Sequence, residues 1–196
     1  MTQTSTHLPA LRGGLLALLA AALFGISTPL VQRFGVGLGA FSTAALLYAG
    51  AAAVGLLSRQ RIDREASLQR ADLPRLIAMA GFGAVVGPVA LAWGLQHTSG
   101  TSASLMLTLE ALFTAVLAWR LYRETMDGRV WTAMALLLAG GMVLVLDQGR
   151  TGGAQLWGLL AVLLATAAWG VDNTLSRALA CLLYTSVRYW SAIRRC

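Results

Sequence analysis

Residues 158–175 read GLLAVLLATAAWGVDNTL, and residues 13–30 read GGLLALLAAALFGISTPL. Laid over one another at a constant offset of 145, they match at Gly13, Leu15, Leu18, Leu19, Ala20, Ala22, Gly25 and Leu30, and Phe24 meets Trp169. Alanine and leucine match often by chance, so the weight rests on the aromatic-glycine pair and its preserved spacing. If one copy contains five membrane spans, the second must begin on the opposite face of the bilayer, because five is odd. The two copies are then inverted repeats about an axis in the membrane plane.

The spans follow from the gaps between charges. Of the 196 residues, 57% are hydrophobic and only 12% charged, about half the charged share of a soluble domain. Twenty uncharged residues separate Arg12 from Arg33, 25 separate Arg33 from Arg59, and 34 separate Arg75 from Glu110. Seventeen more lie between Arg129 and Asp147, and 21 between Arg150 and Asp172. With roughly 20 residues per crossing, this predicts an all-α, polytopic transmembrane helix bundle of six helices. They are expected over residues 12–33, 39–58, 74–96, 101–121, 130–146 and 155–179. Residues 12–146 form the first repeat, and residues 155–180 begin the second.

All 15 basic residues are arginines, and the net charge is +7. They sit in short loops at span ends, which fits topology signals and argues against nucleic acid as a partner. Nine lie on the side of Arg12, the 59–75 loop and the 120–129 loop, whereas Arg33 and Arg150 lie opposite. This places the N-terminus in the cytoplasm, in a multi-pass protein of the bacterial inner membrane. The first apolar run is too long for a cleavable signal peptide and is followed by further spans.

Residues 181–196, CLLYTSVRYWSAIRRC, break the Ala/Gly/Leu texture and hold both cysteines. CLLYTS is what TGT CTC TTA TAC ACA TCT encodes, a string resembling a transposase mosaic-end adapter. The tail is expected to be a sequencing-adapter or frameshift artefact, with a natural amphipathic tail as the alternative. The remainder has no cysteine, and neither a metal nor a cofactor is expected.

Within the spans, Pro29 and Pro88 each remove a backbone donor where lipid supplies no replacement, and Ser27 and Thr28 stand close to the first. Either proline reads as a packing kink or a hinge. Gly83 and Gly87 have the small-xxx-small spacing of close helix packing. Glu110 sits in LTLEALFTAVLAW, about nine residues from each end of its span and therefore roughly 13 Å deep. A carboxylate there costs about 3 kcal/mol on insertion scales. It must be protonated, paired or hydrated. With Thr114 one turn on, it reads as a group that binds a cationic or amine-bearing substrate or exchanges a coupling proton. The alternative is a protonated acid bonded to a neighbouring helix, beside Pro88. Asp172, with Asn173 beside it, matches Ser27 at the repeat offset, and with Trp169 and Phe24 these residues suggest a polar and aromatic lining between repeats. The alternative for Asp172 is an ion pair with Arg177. His97 reads as a helix-end histidine, and Glu124 and Asp127 as part of a solvated loop with Arg120, Arg123 and Arg129.

GLQHTSGTSASLMLTLEALFTAVLAWRLYRE, residues 94–124, and WGVDNTLSR, residues 169–177, are similar to the third-to-fourth-helix passage and the start of the second repeat in EamA-type members of the drug/metabolite transporter superfamily. The resemblance covers roughly residues 12–180. It implies a ten-span protein truncated after about six spans. It also implies a secondary active transporter, an exporter of a small metabolite or amino-acid-like solute, that works by alternating access. No GxxxxGK[ST] occurs, so an ion or exchange gradient would supply energy. A membrane enzyme lacks its motifs here: there is no GxSG, HExxH or DxxAR-type pattern. A half-size homodimeric transporter or a non-transporting helper subunit is the further alternative.

Overall fold

A computed structural model describes residues 7–58, 70–149 and 153–187. Most of the arginine loop after the second span, Arg150, and residues 188–196 of the expected artefact lie outside the described residues. Every described element is helical, and six helical stretches are long and apolar enough to cross a membrane. α1 is His7–Phe34 and α2 is Ala40–Leu57. The third span, Arg70–His97, comprises a short 3-10 turn, α3 (Leu73–Met79), a π-helical stretch (Ala80–Val86) and α4 (Gly87–His97). The fourth, Gly100–Tyr122, is α5 (Gly100–Leu107) and α6 (Leu109–Tyr122). α7 is Gly128–Gly149 and α8 is Gly153–Val187.

The expected spans are present, and two contain breaks that their hydropathy conceals. In the third, the helix widens to π geometry just before Pro88, with Gly87 N–H bonding Phe82 O. The next bond in that series would run from Pro88 to Gly83 O, and proline has no N–H to make it. In the fourth, Thr108 interrupts the helix; its hydroxyl bonds Leu105 O at 2.7 Å and its N–H bonds the same oxygen at 3.2 Å. Pro29 lies exposed in an unbroken α1, where Ser27 and Thr28 hydroxyls donate to Phe24 O at 2.8 and 3.2 Å.

α8 is the hub. Its span is 44% buried, against 6% for the first and fifth spans, and it packs on α3 through α7. The compact core is Leu95, Ala103, Met106, Leu109, Leu159 and Val162, contributed by α4, α5, α6 and α8. Elsewhere the large apolar side chains face outward, from Leu15 and Leu19 on α1 to Val143 on α7. Such an exterior suits hydrocarbon. Polar groups close the helix ends: Gln32 donates to Thr98 O at 2.9 Å, Gln96 donates to Leu38 O at 2.9 Å, and Ser99 Oγ accepts from Ser102 N–H to cap α5.

Candidate functional site

Two groups of polar residues flank α8. The first surrounds Gly83 O, the carbonyl that Pro88 leaves without its π-helical partner. Tyr48 Oη on α2 donates to it at 2.8 Å and Trp169 Nε1 on α8 at 3.1 Å. Gly83 and Gly87 make this approach feasible: a Cβ at Gly83 would lie 2.5 Å from the Asp172 carboxyl carbon, and one at Gly87 2.6 Å from Trp169 Nε1. Trp169 and Asp172, three apart on one face of α8, thus sit over glycines four apart on the third span.

Beside this junction is a cavity of about 250 Å³ bounded by α1, α2, α4 and α8. Phe24, Ser27, Thr28, Tyr48, Pro88 and Trp169 contribute to its wall, with Val31, Leu47, Leu91 and Leu95 among its apolar members. Phe24 and Trp169, matched by the repeat offset, meet edge to face with ring centroids 6.4 Å apart.

The second group lies between α6 and α8. Asn173 Nδ2 donates to Glu110 Oε1 at 2.7 Å. Glu110 is half-buried in the first turn of α6, just past the Thr108 break. Thr114 is on the same helix, but its hydroxyl is buried without a hydrogen-bond partner. It stands where α6 and α8 cross, Gly170 facing Phe113 and the Thr114 backbone.

The sequence suggests an interface lining of Asp172, Asn173, Ser27, Trp169 and Phe24, with Glu110 and Thr114 read separately; Phe24, Ser27, Thr28 and Trp169 share the cavity wall, whereas Asn173 reaches Glu110. Neither Glu110, Asp172, Asn173 nor Thr114 lines the cavity. Glu110 is hydrogen-bonded to a neighbouring helix, as its alternative reading expects, and that helix is α8. Arg177 pairs with Glu124, not Asp172, and lies 5.3 Å over the Tyr122 ring; Glu124 lies in the loop after α6 with its side chain partly exposed. Asp127 caps α7 through Val130 N–H at 3.0 Å. His97 ends α4, stacked on Trp93 at 4.1 Å. Sequence reading missed Tyr48. The signal was available: a tyrosine hydroxyl within an apolar span needs an acceptor, and Pro88 frees one. Among the described residues, no three His, Cys, Asp or Glu side chains converge as a metal site would require.

The model of the EamA-like transporter family matches residues 11–146. An uncharacterized transporter from Methanothermobacter thermautotrophicus is 27% identical over 118 residues, which cover 59% of this chain and 34% of that protein. The chain therefore spans about a third of the length of that curated relative. No solved structure matches.

Proposed function

Because this chain belongs to the EamA-like transporter family, we propose that it acts as a secondary active exporter of a small solute across a bacterial inner membrane, with its N-terminus in the cytoplasm. Family and relative point to transport by a multi-pass membrane protein, not to an enzyme. The contact of Phe24 with Trp169 at the cavity wall carries the reading. Positions equivalent under a two-fold meet only near its axis, so this contact supports a cavity on the axis of an inverted repeat, where rocking of one repeat exposes it to alternate faces. α8 supplies both the cavity's indole and the Asn173 that holds Glu110. In this reading the cavity takes the solute, and Glu110 exchanges the coupling proton on the other side of α8.

Growth protection identifies the solute: cells expressing the protein are challenged with a panel of small metabolites, then everted vesicles measure uptake of the protective one. Glu110→Gln keeps an acceptor for Asn173 but removes the ionisable group. Its expected effect is loss of proton-driven uptake and of its pH dependence at unchanged membrane abundance. Unchanged rate, affinity and pH profile would refute the role of Glu110, and protection by no solute would refute export.

A further inference from the structure

We infer that the cavity selects an uncharged solute with an apolar body and a hydrogen-bond donor, a class distinct from the cationic or amine-bearing substrate that Glu110 suggests and from the amino-acid-like solute that the family resemblance implies. The inference rests on reading the cavity as the solute site. Among the described residues no charged side chain lines the cavity; the Asp172 carboxyl lies over Gly83 and is not part of the wall. Its side-chain donors are all committed within the protein: Ser27 and Thr28 to Phe24 O, Tyr48 and Trp169 to Gly83 O. Open capacity remains in the oxygen lone pairs of Ser27, Thr28 and Tyr48, which accept. Diverting Tyr48 or Trp169 to a ligand would only exchange one hydrogen bond for another, whereas a donor on the solute adds a bond to an open lone pair. An ion would enter without a counter-charge on the wall, at a cost that a neutral solute avoids.

Shape and surroundings agree. About 250 Å³ falls just under the roughly 300–1,000 Å³ of drug-sized pockets, enough for a compact ring system beside Phe24 and Trp169. A second hollow, lined by Leu30, Phe34, Leu38, Thr43 and Leu46, shares Val31 and Leu47 with the first. It runs along the seam between α1 and α2, both of which pack on α4. The flank of the cavity toward the α1–α2 turn, the end opposite the N-terminus, is therefore mainly apolar, which suits a solute that dissolves in the bilayer better than one that must stay hydrated.

Three probes of similar body separate the alternatives: 2-naphthol, neutral with a donor; 2-methoxynaphthalene, neutral without one; and 1-naphthylmethylammonium, a charged donor. Saturable binding is measured with the protein in nanodiscs, protein-free nanodiscs giving the membrane partition. 2-Naphthol should bind saturably and the methyl ether about tenfold more weakly, the loss of one hydrogen bond; the ammonium should show no saturable binding. Ser27→Ala combined with Thr28→Val should shrink the advantage of 2-naphthol and leave the ether unchanged. Ala51→Trp on the cavity wall should abolish binding, while Ala135→Trp on the exposed face of α7 should preserve it. Equal binding of 2-naphthol and its ether, tightest binding of the ammonium, or no saturable binding by any probe would overturn the inference. Transport of a charged solute with no 2-naphthol binding would defeat the ligand class and leave export standing. Binding of 2-naphthol without movement of any solute would do the reverse.

Discussion

Removing both donors from Gly83 O should cost much more than the sum of removing each. Tyr48→Phe deletes the 2.8 Å bond and Trp169→Phe the 3.1 Å bond, and both substitutions keep an aromatic ring in place. After either change the carbonyl still has one partner, and a carbonyl with one of two lone pairs filled is an ordinary state. Each single variant should therefore lose about 0.6 kcal/mol through the bond, the average for hydrogen bonds between membrane helices. The double variant leaves the carbonyl with neither side-chain donor, at a position where Pro88 cannot return and lipid offers no donor. The penalty there is about 1–3 kcal/mol for an unsatisfied buried group. The expected coupling is about 1–2 kcal/mol beyond additivity. The lost indole area of Trp169 appears in both arms of the cycle and cancels. Reversible unfolding of the four proteins in mixed micelles measures the cycle. Additivity within about 0.3–0.5 kcal/mol would refute the reasoning, because it would mean that Gly83 O has another partner.

Two further substitutions test the packing and the charge pair. A Cβ at Gly158 would lie 2.8 Å from the His97 carbonyl carbon and 2.9 Å from its oxygen, rigid backbone on α4. Gly158→Ala should destabilise by about 1–3 kcal/mol in thermal unfolding, while Gly50→Ala, which meets nothing within 4 Å, should be neutral or slightly stabilising; equal midpoints would show that α4 and α8 do not touch there. Arg177→Gln breaks the pair with Glu124, whose side chains are 50% and 41% exposed. It should cost about 0.2–1 kcal/mol, with the smaller value at high salt; a loss above about 2 kcal/mol would reveal a desolvated pair.

The spans were legible because hydrocarbon punishes charge, so uninterrupted gaps such as Arg33 to Arg59 mark where helices cross. The breaks were not, because hydropathy does not register hydrogen-bond geometry: the π turn before Pro88 and the stop at Thr108 leave the apolar run unbroken. Pro88 did announce a missing donor, yet finding that Tyr48 and Trp169 serve its π-helical partner requires knowing that α2 and α8 flank Gly83. Glu110 and Asn173 were each singled out, but pairing them needs the α6–α8 crossing at Gly170, a three-dimensional fact. The same crossing explains why one expected lining became two sites: Trp169 and Asn173 share a helix and point to different neighbours. Arg177 was within reach of Asp172 by sequence, and the left-handed turn at Arg123, which ends α6, precedes the Glu124 that pairs with it.

That α8 is the hub has a consequence for biogenesis. It is the last of the six spans to leave the ribosome, so α1 to α7 enter the bilayer before the surface on which most of them settle exists. Until then Gly83 O lacks its indole and Glu110 lacks its amide. A nascent chain paused before residue 153 should remain a loose set of inserted helices, open to a membrane chaperone or protease. Arrival of this single segment lets the set consolidate.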